Sequence, residues 1–455
     1  MIEMKHSCLV TGWVLVFALL GACVQVEPRA EFEKAGDLVK TSTGQSEVFD
    51  PAEPTLTEEQ LSAILDDGLT LAEALHLALV NNRELQADYQ EIGVAHADWV
   101  QSQLLSNPSL DVLARSPAGG GRSMFEAVIG VELLELWRIP MRKEYAQQNL
   151  EATVLRIARR AGVVLAEARG AYYRAVAAEE LLHVAQENVE LATMSLGAVT
   201  SLHAAGAADA FDESLARGPL LAAQLAFRTT RIEAANAKRE LCRHLSLNRP
   251  GSGIVLLERW PEPHTEQVEP EGLVQQALEA RLDLRAIAMG IKALDAHVDL
   301  EQRGAWGSVT AGANVERPAV SGQATSGPAV SLTLPIFDQN RARVARAGFK
   351  REQLVKLYEA AQVTVAQNVR ASADRVNSAA RNMAFYSEEL LPQAQRSLEL
   401  ARESYAAGRT TLLALVEVQR QLLDARRGLV ALQLEAAVSM SELERAVGRT
   451  LAGTH

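Results

Sequence analysis

The chain is predicted to be a mainly α protein with a small β part, built from a duplicated helix, hairpin and helix unit. The first observation behind this is a repeat. Val131 and Leu133 recur as Val330 and Leu332, and Arg142 and Ala146 recur as Arg341 and Ala345, all 199 positions apart. At the same offset, Ala78, Leu79, Leu85, Ala87, Ile92 and Ala97 meet Ala277, Leu278, Leu284, Ala286, Ile291 and Ala296. Further on the offset becomes 202, so that Ala204-Ala205-Gly206 meets Ala406-Ala407-Gly408 and Glu240-Leu241 meets Glu442-Leu443. A period near 200 residues is far longer than the roughly 20 to 50 of solenoid arrays, so it marks a duplicated, domain-sized unit that packs on itself. The second observation is composition. Hydrophobic residues make up 48% and aromatic residues only 5%, with Ala, Leu, Glu, Gln and Arg prominent, the balance of long helices and coiled coils. The third is that each long helical stretch follows a pair of short alternating segments.

Residues 1–22 read as an export signal: Lys5 near the start, an apolar run from Leu9 to Leu20, and small residues before a cysteine. The end of the run, Leu20-Gly21-Ala22-Cys23, resembles the lipobox of bacterial lipoproteins, in which the cysteine is lipidated and becomes the mature N-terminus. Val24 rather than Asp follows, which fits delivery to the outer membrane. The alternative is an ordinary cleaved signal that has a cysteine there by chance. Cys8 would leave with the signal and Cys23 would be acylated, so Cys242 is left alone and no intrachain disulfide is expected.

Residues 23–68 are rich in Glu, Thr, Ser and Pro without a sustained apolar period, and are expected to form an extended arm or linker wrapped on the body, not a domain, that tethers the fold to its lipid. The first repeat spans 69–247. It opens on Leu71, Ala74, Leu75, Ala78 and Leu79, one face of an amphipathic helix, with Thr70 as N-cap and Glu73 closing a capping box. Residues 248–270 carry Pro250, Gly251, Gly253, Pro261, Pro263 and Pro270, which is linker chemistry. The second repeat spans 271–449, its first helix starting near Glu271, and 450–455 form a tail.

Four short strands are expected: Leu110–Arg115 and Val128–Leu136 around Pro117–Gly121, then Val309–Val315 and Val330–Ile336 around the turn Arg317–Gly327. Ile129, Val131 and Leu133 alternate with Val128, Gly130 and Glu132, giving one apolar and one polar face, with Glu132 on the polar side. Four such strands cannot close a membrane barrel, which needs about eight or more. Several chains must therefore contribute strands. After each hairpin comes a long helix, Met141 to about Thr200 and Arg341 to about Leu391, the second interrupted at Leu390-Leu391-Pro392. The longer covers about 90 Å at 1.5 Å per residue, and neither is apolar enough to cross a bilayer; charges at Arg159, Arg160 and Glu167 break the best candidate run.

The chemistry-bearing residues exclude more than they assign. The histidines, among them His76, His96, His183, His203, His244, His264 and His297, are scattered without metalloprotease spacing or a cysteine pair, so neither a metal site nor a catalytic site is expected. No P-loop or dinucleotide fingerprint is present, which calls for no cofactor and leaves energy to a partner. The net charge of −12 is interspersed along helix faces, so nucleic acid is not an expected partner.

The run Leu334–Asn340 followed by Arg341 and Arg343, the run Tyr405–Leu413, and the closing Glu442–Gly448 resemble the TolC-like outer-membrane efflux proteins, as do the helix opening at Leu71 and Asn107-Pro108-Ser109-Leu110. The resemblance covers about residues 69 to 449, and the internal repeat is the family's hallmark. It implies a homotrimer in which four strands per chain make a twelve-stranded outer-membrane β-barrel, continued across the periplasm by an α-helical barrel. It also implies a passive duct serving a periplasmic adaptor (membrane fusion protein) and an inner-membrane pump. In the family the two helix-to-helix turns farthest from the membrane meet the adaptor; here they are Ala204–Glu213 and Ala406–Glu417, with Gly206, Gly408, Arg409 and Thr410 as contact positions and Thr410 or Thr411 as helix cap. Some relatives place two acids, three apart, on the returning helix as constricting rings. Alignment on Gly408 puts Ala414 at the first position and Glu417 at the second, while the first repeat has Asp212 where the second has Ala414. A trimer would then ring its mouth with Asp212 and Glu417, unless these are ordinary exposed acids beside a turn. The wording of Leu334–Arg341 looks most like outer-membrane components of RND-type exporters of cobalt, zinc, cadmium or copper. Multidrug export, type I protein secretion and a non-conducting structural envelope lipoprotein are the competing readings.

Overall fold

The structure is a computed structural model that describes residues 26–53, 56–206, 208–261 and 266–451. The signal segment and Cys23 lie outside the described residues. In order, the elements are α1 (Arg29–Thr43), α2 (Glu58–Asp66), α3 (Leu71–Val80), α4 (Arg83–Ser102), β1 (Ser109–Arg115), β2 (Met124–Glu132), α5 (Leu134–Ala204) and α6 (Ala210–His244). The second half continues with α7 (Pro270–Ala280), α8 (Leu282–Gly304), β3 (Val309–Arg317), β4 (Thr325–Leu332), α9 (Arg341–Phe385), a π-turn (Tyr386–Leu390), α10 (Leu391–Ala406) and α11 (Leu412–Val447). The expected mainly α architecture with a duplicated helix, hairpin and helix unit is present. Two compact units divide the chain: one holds the sheet with residues 91–153 and 289–354, the other holds 32–90, 154–288 and 355 onward.

In the sheet unit the four strands pair antiparallel in the order β1-β2-β3-β4. The central β2–β3 ladder joins the two repeats, with Ile129 opposite Ala313 and Gly130 opposite Gly312. A Cβ at Gly312 would lie 1.8 Å from the Ile129 carbonyl oxygen, so this crossing requires glycine.

Two strands differ from the expectation: β2 runs over 124–132 rather than 128–136, and β4 is displaced in the same direction. β2 stops at Glu132 and α5 begins at Leu134, so Pro140 sits inside a helix of 71 residues. Glu132 explains the early start: its carboxylate accepts from the Leu134 N–H at 3.3 Å and the Val309 N–H at 2.9 Å, which ends the strand and satisfies a helix-start donor. β4 runs over 325–332 rather than 330–336. Its alternation continues in sequence through Ile336, but Pro335 has no N–H for a ladder, and the pairing closes with Thr333 donating to the Ser308 carbonyl at 3.0 Å.

In the helical unit the arm is not extended. It carries α1 and α2, because Ala35, Val39 and Thr43 recur at helical spacing and are buried, and because Thr57 and Gln60 form a capping box at the start of α2. The expected box at α3 is present: Glu73 N–H donates to Thr70 Oγ1 at 3.2 Å, and Thr70 N–H to the Glu73 carboxylate at 2.9 Å. The segment after α6 is sewn on by a parallel bridge between Leu69 and Leu256 and by Tyr172, whose hydroxyl donates to the Leu69 carbonyl at 3.1 Å. The core here comes from stripes such as Val365, Val369, Ala373 and Val376 of α9 packed with Val274, Leu284 and Leu443. The expected interruption before Pro392 takes the form of the π-turn, one way a helix absorbs the missing N–H and the ring clash one turn upstream. Gly428 of α11 leaves room for it, since a Cβ there would meet Tyr386 Oη at 2.3 Å.

Candidate functional site

The chain has two candidate functional regions, the sheet and the helix-turn tips. In the sheet, the pairing register places Leu110 and Val112 of β1, Phe125, Ala127, Ile129 and Val131 of β2, Val309, Ala311, Ala313 and Val315 of β3, and Pro328, Val330 and Leu332 of β4 on one face. Arg317 is the charged residue at its end. The opposite face carries Asp111, Glu126, Glu132, Thr310, Asn314, Glu316, Thr325 and Ser331, with Arg115 at one end. The expected division into apolar and polar faces is present, with Leu113 and Val128 as apolar residues on the polar face and Ser326 as a polar one on the apolar face, and Glu132 is on the polar side. Large apolar residues on the first face stand open in the single chain, Leu110 at 66% and Val330 at 74% exposure. An open apolar face this continuous calls for lipid or another chain. At about 3.3 Å per residue, strands of 7 to 9 residues are about 23 to 30 Å long, and at a barrel tilt of about 40° they span roughly 18 to 23 Å, just under the apolar height of about 25 Å of an outer-membrane barrel. On the polar face Asn314 donates to Glu126 at 3.2 Å. Among the described residues no helix is long and apolar enough to cross a membrane.

The tips are built by helix capping. α10 ends in a Schellman motif: Gly408 N–H donates to the Tyr405 carbonyl at 2.9 Å, Arg409 N–H to the Ser404 carbonyl at 2.8 Å, and Gly408 has φ +66°. Thr411, not Thr410, caps α11, accepting from the Ala414 N–H at 3.4 Å. Arg409 is exposed and Thr410 half-buried. At the end of α5, Gly206 has φ +76° and donates its N–H to the His203 carbonyl at 2.9 Å. The two turns lie at one end of the helical unit, because Val199, Ala216 and Leu412 form one small core with Leu196, Leu215, Tyr405 and Val416 around it. Behind it, Leu391, Ala394, Leu398, Ala401 and Tyr405 meet Leu415, Val418 and Leu422 at the alternating three- and four-residue spacing of a coiled-coil seam.

The two acids have local partners. Asp212 occupies the third position of a capping box: its N–H donates to Asp209 Oδ1 at 2.9 Å, and its own carboxylate accepts from the Asp209 N–H at 3.3 Å. Both charges benefit from the α6 N-terminus. Glu417 is exposed and pairs with Arg420 at 3.2 Å on its own helix. Asp209 was missed by the sequence reading, although an Asp followed three residues later by another acid just before a helical run is a readable cap signal. Among the described residues no group of three or more His, Cys, Asp or Glu is arranged to hold a metal ion, and Cys242 is a buried free thiol whose ionisation burial pushes up.

A profile of the family described as outer membrane efflux protein matches residues 74–245 and 273–449, one match in each repeat. The cobalt-zinc-cadmium resistance protein CzcC of Cupriavidus metallidurans is 23% identical over 403 residues, covering 84% of this chain and 90% of CzcC. The toluene efflux pump outer membrane protein TtgC of Pseudomonas putida is 24% identical over 410 residues, covering 83% of this chain and 82% of TtgC. The crystal structure of the Campylobacter jejuni CmeC outer membrane channel superposes with a TM-score of 0.71 at 16% identity, over 92% of this chain and 93% of that one. Capped turns at one end, a two-faced sheet, and a profile that matches both repeats lead to one conclusion: this chain is an outer-membrane efflux channel and belongs to the outer membrane efflux protein family.

Proposed function

We propose that this chain is the outer-membrane duct of a metal-cation exporter. Three copies close their sheets into a twelve-stranded barrel, lipid on the apolar face and water on the polar one. The observation that carries the cargo reading is the polar face, where Asp111, Glu126, Glu132 and Glu316 outnumber Arg115. Such a lumen raises the local concentration of cations and repels anions. CzcC, similar over most of its length and named for cobalt, zinc and cadmium resistance, supports the same reading. Energy comes from an RND-type inner-membrane pump through a periplasmic adaptor docked on the turns at Gly206 and Gly408. Asp212 and Glu417 near those turns contribute a ring of negative charge at the periplasmic mouth, and lipidation at Cys23 adds an anchor to the outer-membrane lipid. TtgC, named for toluene efflux, favours organic solutes as the second reading.

Growth of a deletion strain, with and without the gene restored, across zinc, cobalt, cadmium, nickel, copper and silver salts and a panel of antibiotics, dyes and solvents separates the two. Sensitivity confined to metals is expected; sensitivity confined to organic compounds overturns the cation reading and leaves the duct. Gly408→Val tests the tip. A β-branched residue at φ +66° costs on the order of 1–3 kcal/mol locally, which distorts the turn while the seam behind it holds the fold. Export measured in the complemented strain should fall at least about tenfold, the equivalent of about 1.4 kcal/mol lost from docking, with trimer yield unchanged. Normal export by this variant would remove the turn from the docking surface.

A further inference from the structure

Segments remote in sequence converge on one small cavity in the helical unit: the end of α1, the middle of α5, the start of α8, and α11 with the residues after it through Thr450. The cavity measures about 40 Å³, room for a water or two or for one compact anion, and too little for an organic solute. Four arginines are among its lining residues: Arg159 and Arg169, whose side chains are largely buried, and Arg445 and Arg449, which are exposed at its rim; Glu444 is the single acid. A second carboxylate, Asp283, is engaged by Arg281, whose Nε donates to Asp283 Oδ1 at 2.9 Å, and stands 3.9 Å from Arg159. Three largely buried arginines, Arg159, Arg169 and Arg281, thus share two acids.

The consequences of that surplus are visible in individual groups. Burial, then the charge of Arg281, holds the Arg159 guanidinium down to about 10, with Asp283 opposing and Arg445 adding to the depression. Arg169 pairs with Glu444 through its Nη1, and its Nε is buried without a hydrogen-bond partner. An unpaired buried donor beside excess positive charge is an arrangement that an anion would complete.

We propose that this cavity is an oxoanion site that takes one phosphate or sulfate ion per chain, and that the bound ion clamps α1 and the C-terminal segment to helices of both repeats. Oxoanions fit better than halides because guanidinium groups present paired donors that match two oxygens at once. The site lies near the end of α11 away from the tips, and its role is to hold the arm in place: Thr450 N–H already donates to the Ser42 carbonyl at 3.1 Å along the same junction.

The test uses the full chain purified in a neutral detergent. Isothermal titration with sodium sulfate and sodium phosphate, against sodium chloride at matched ionic strength, should show one saturable site per chain and a rise of several degrees in the unfolding midpoint. Arg169→Lys keeps a positive charge for Glu444 but deletes Nε, and should weaken binding about tenfold. Gly162 lines the cavity, and a Cβ there would have only Thr43 Cγ2 within reach, at 4.0 Å. Gly162→Asp therefore supplies a built-in anion. It should melt higher than Gly162→Asn, which has a similar helix propensity without the charge, and should no longer respond to sulfate. Sulfate and phosphate acting no differently from chloride would overturn the proposal, as would Gly162→Asp and Gly162→Asn melting together. The glycine pair decides the matter if Arg169→Lys fails to fold.

Discussion

Ile129→Arg is expected to abolish the trimer in the outer membrane, while Val128→Arg, one residue earlier on the same strand, leaves it intact. Ile129 lies mid-strand on the apolar face, opposite Leu110 on one side and Ala313 on the other. A charge at the bilayer midplane of a barrel costs about 2–4 kcal/mol, and a trimer incurs that cost in each of its chains. Val128 lies between Asp111 and Asn314 on the polar face, where an arginine meets water and a carboxylate. Side chains on a strand alternate, so a step of one residue exchanges lipid for lumen. Quantifying trimer in isolated outer membranes checks the pair. Equal loss for both variants, or for neither, would mean that the two faces do not meet different solvents.

Gly312→Ala is expected to break the sheet at the seam between the two repeats. The added Cβ would sit 1.8 Å from the Ile129 carbonyl oxygen and 2.8 Å from the Gly130 Cα, both backbone atoms that cannot swing aside. The strands must separate locally, which puts the cost at or above the upper end of the roughly 1–3 kcal/mol typical of overpacking. Gly327→Ala is the matched control on β4, where a new Cβ meets nothing within 4 Å, and should change stability by no more than about 0.5 kcal/mol. Midpoints of thermal unfolding and trimer yield in detergent give the comparison. Parity between the two variants would show that the β2–β3 approach is looser than the register indicates.

Features set by local chemistry were legible from residues alone. The Thr70 and Glu73 box, the glycines of both turns, the alternation of Ile129 with Val128, and the interruption before Pro392 each depend on neighbours within a few positions. The repeat supplied the rest of the architecture by comparing the chain with itself. What was missed depends on competition between signals. The stripe of Ala35, Val39 and Thr43 in α1 lies in a segment whose Glu, Thr, Ser and Pro content suggests an extended arm, and its burial against the body decides the outcome. Apolar alternation runs on from Leu332 to Ile336, and only the hydrogen-bonding register shows the ladder ending before Pro335. Asp212, expected at a gate, is also a capping residue, because Asp209 precedes it by three positions. The cavity around Arg169 was out of reach of a sequence reading, since it is assembled from residues between Ser42 and Thr450 that only folding brings together.

The central claim is that the chain forms a water-filled, cation-favouring duct, and single-channel recording of the purified full chain in a planar bilayer tests it most directly. Discrete conductance steps that grow with salt concentration are predicted, with a reversal potential under a potassium chloride gradient displaced toward the value for potassium. Folded, inserted protein that passes no current would contradict the duct itself.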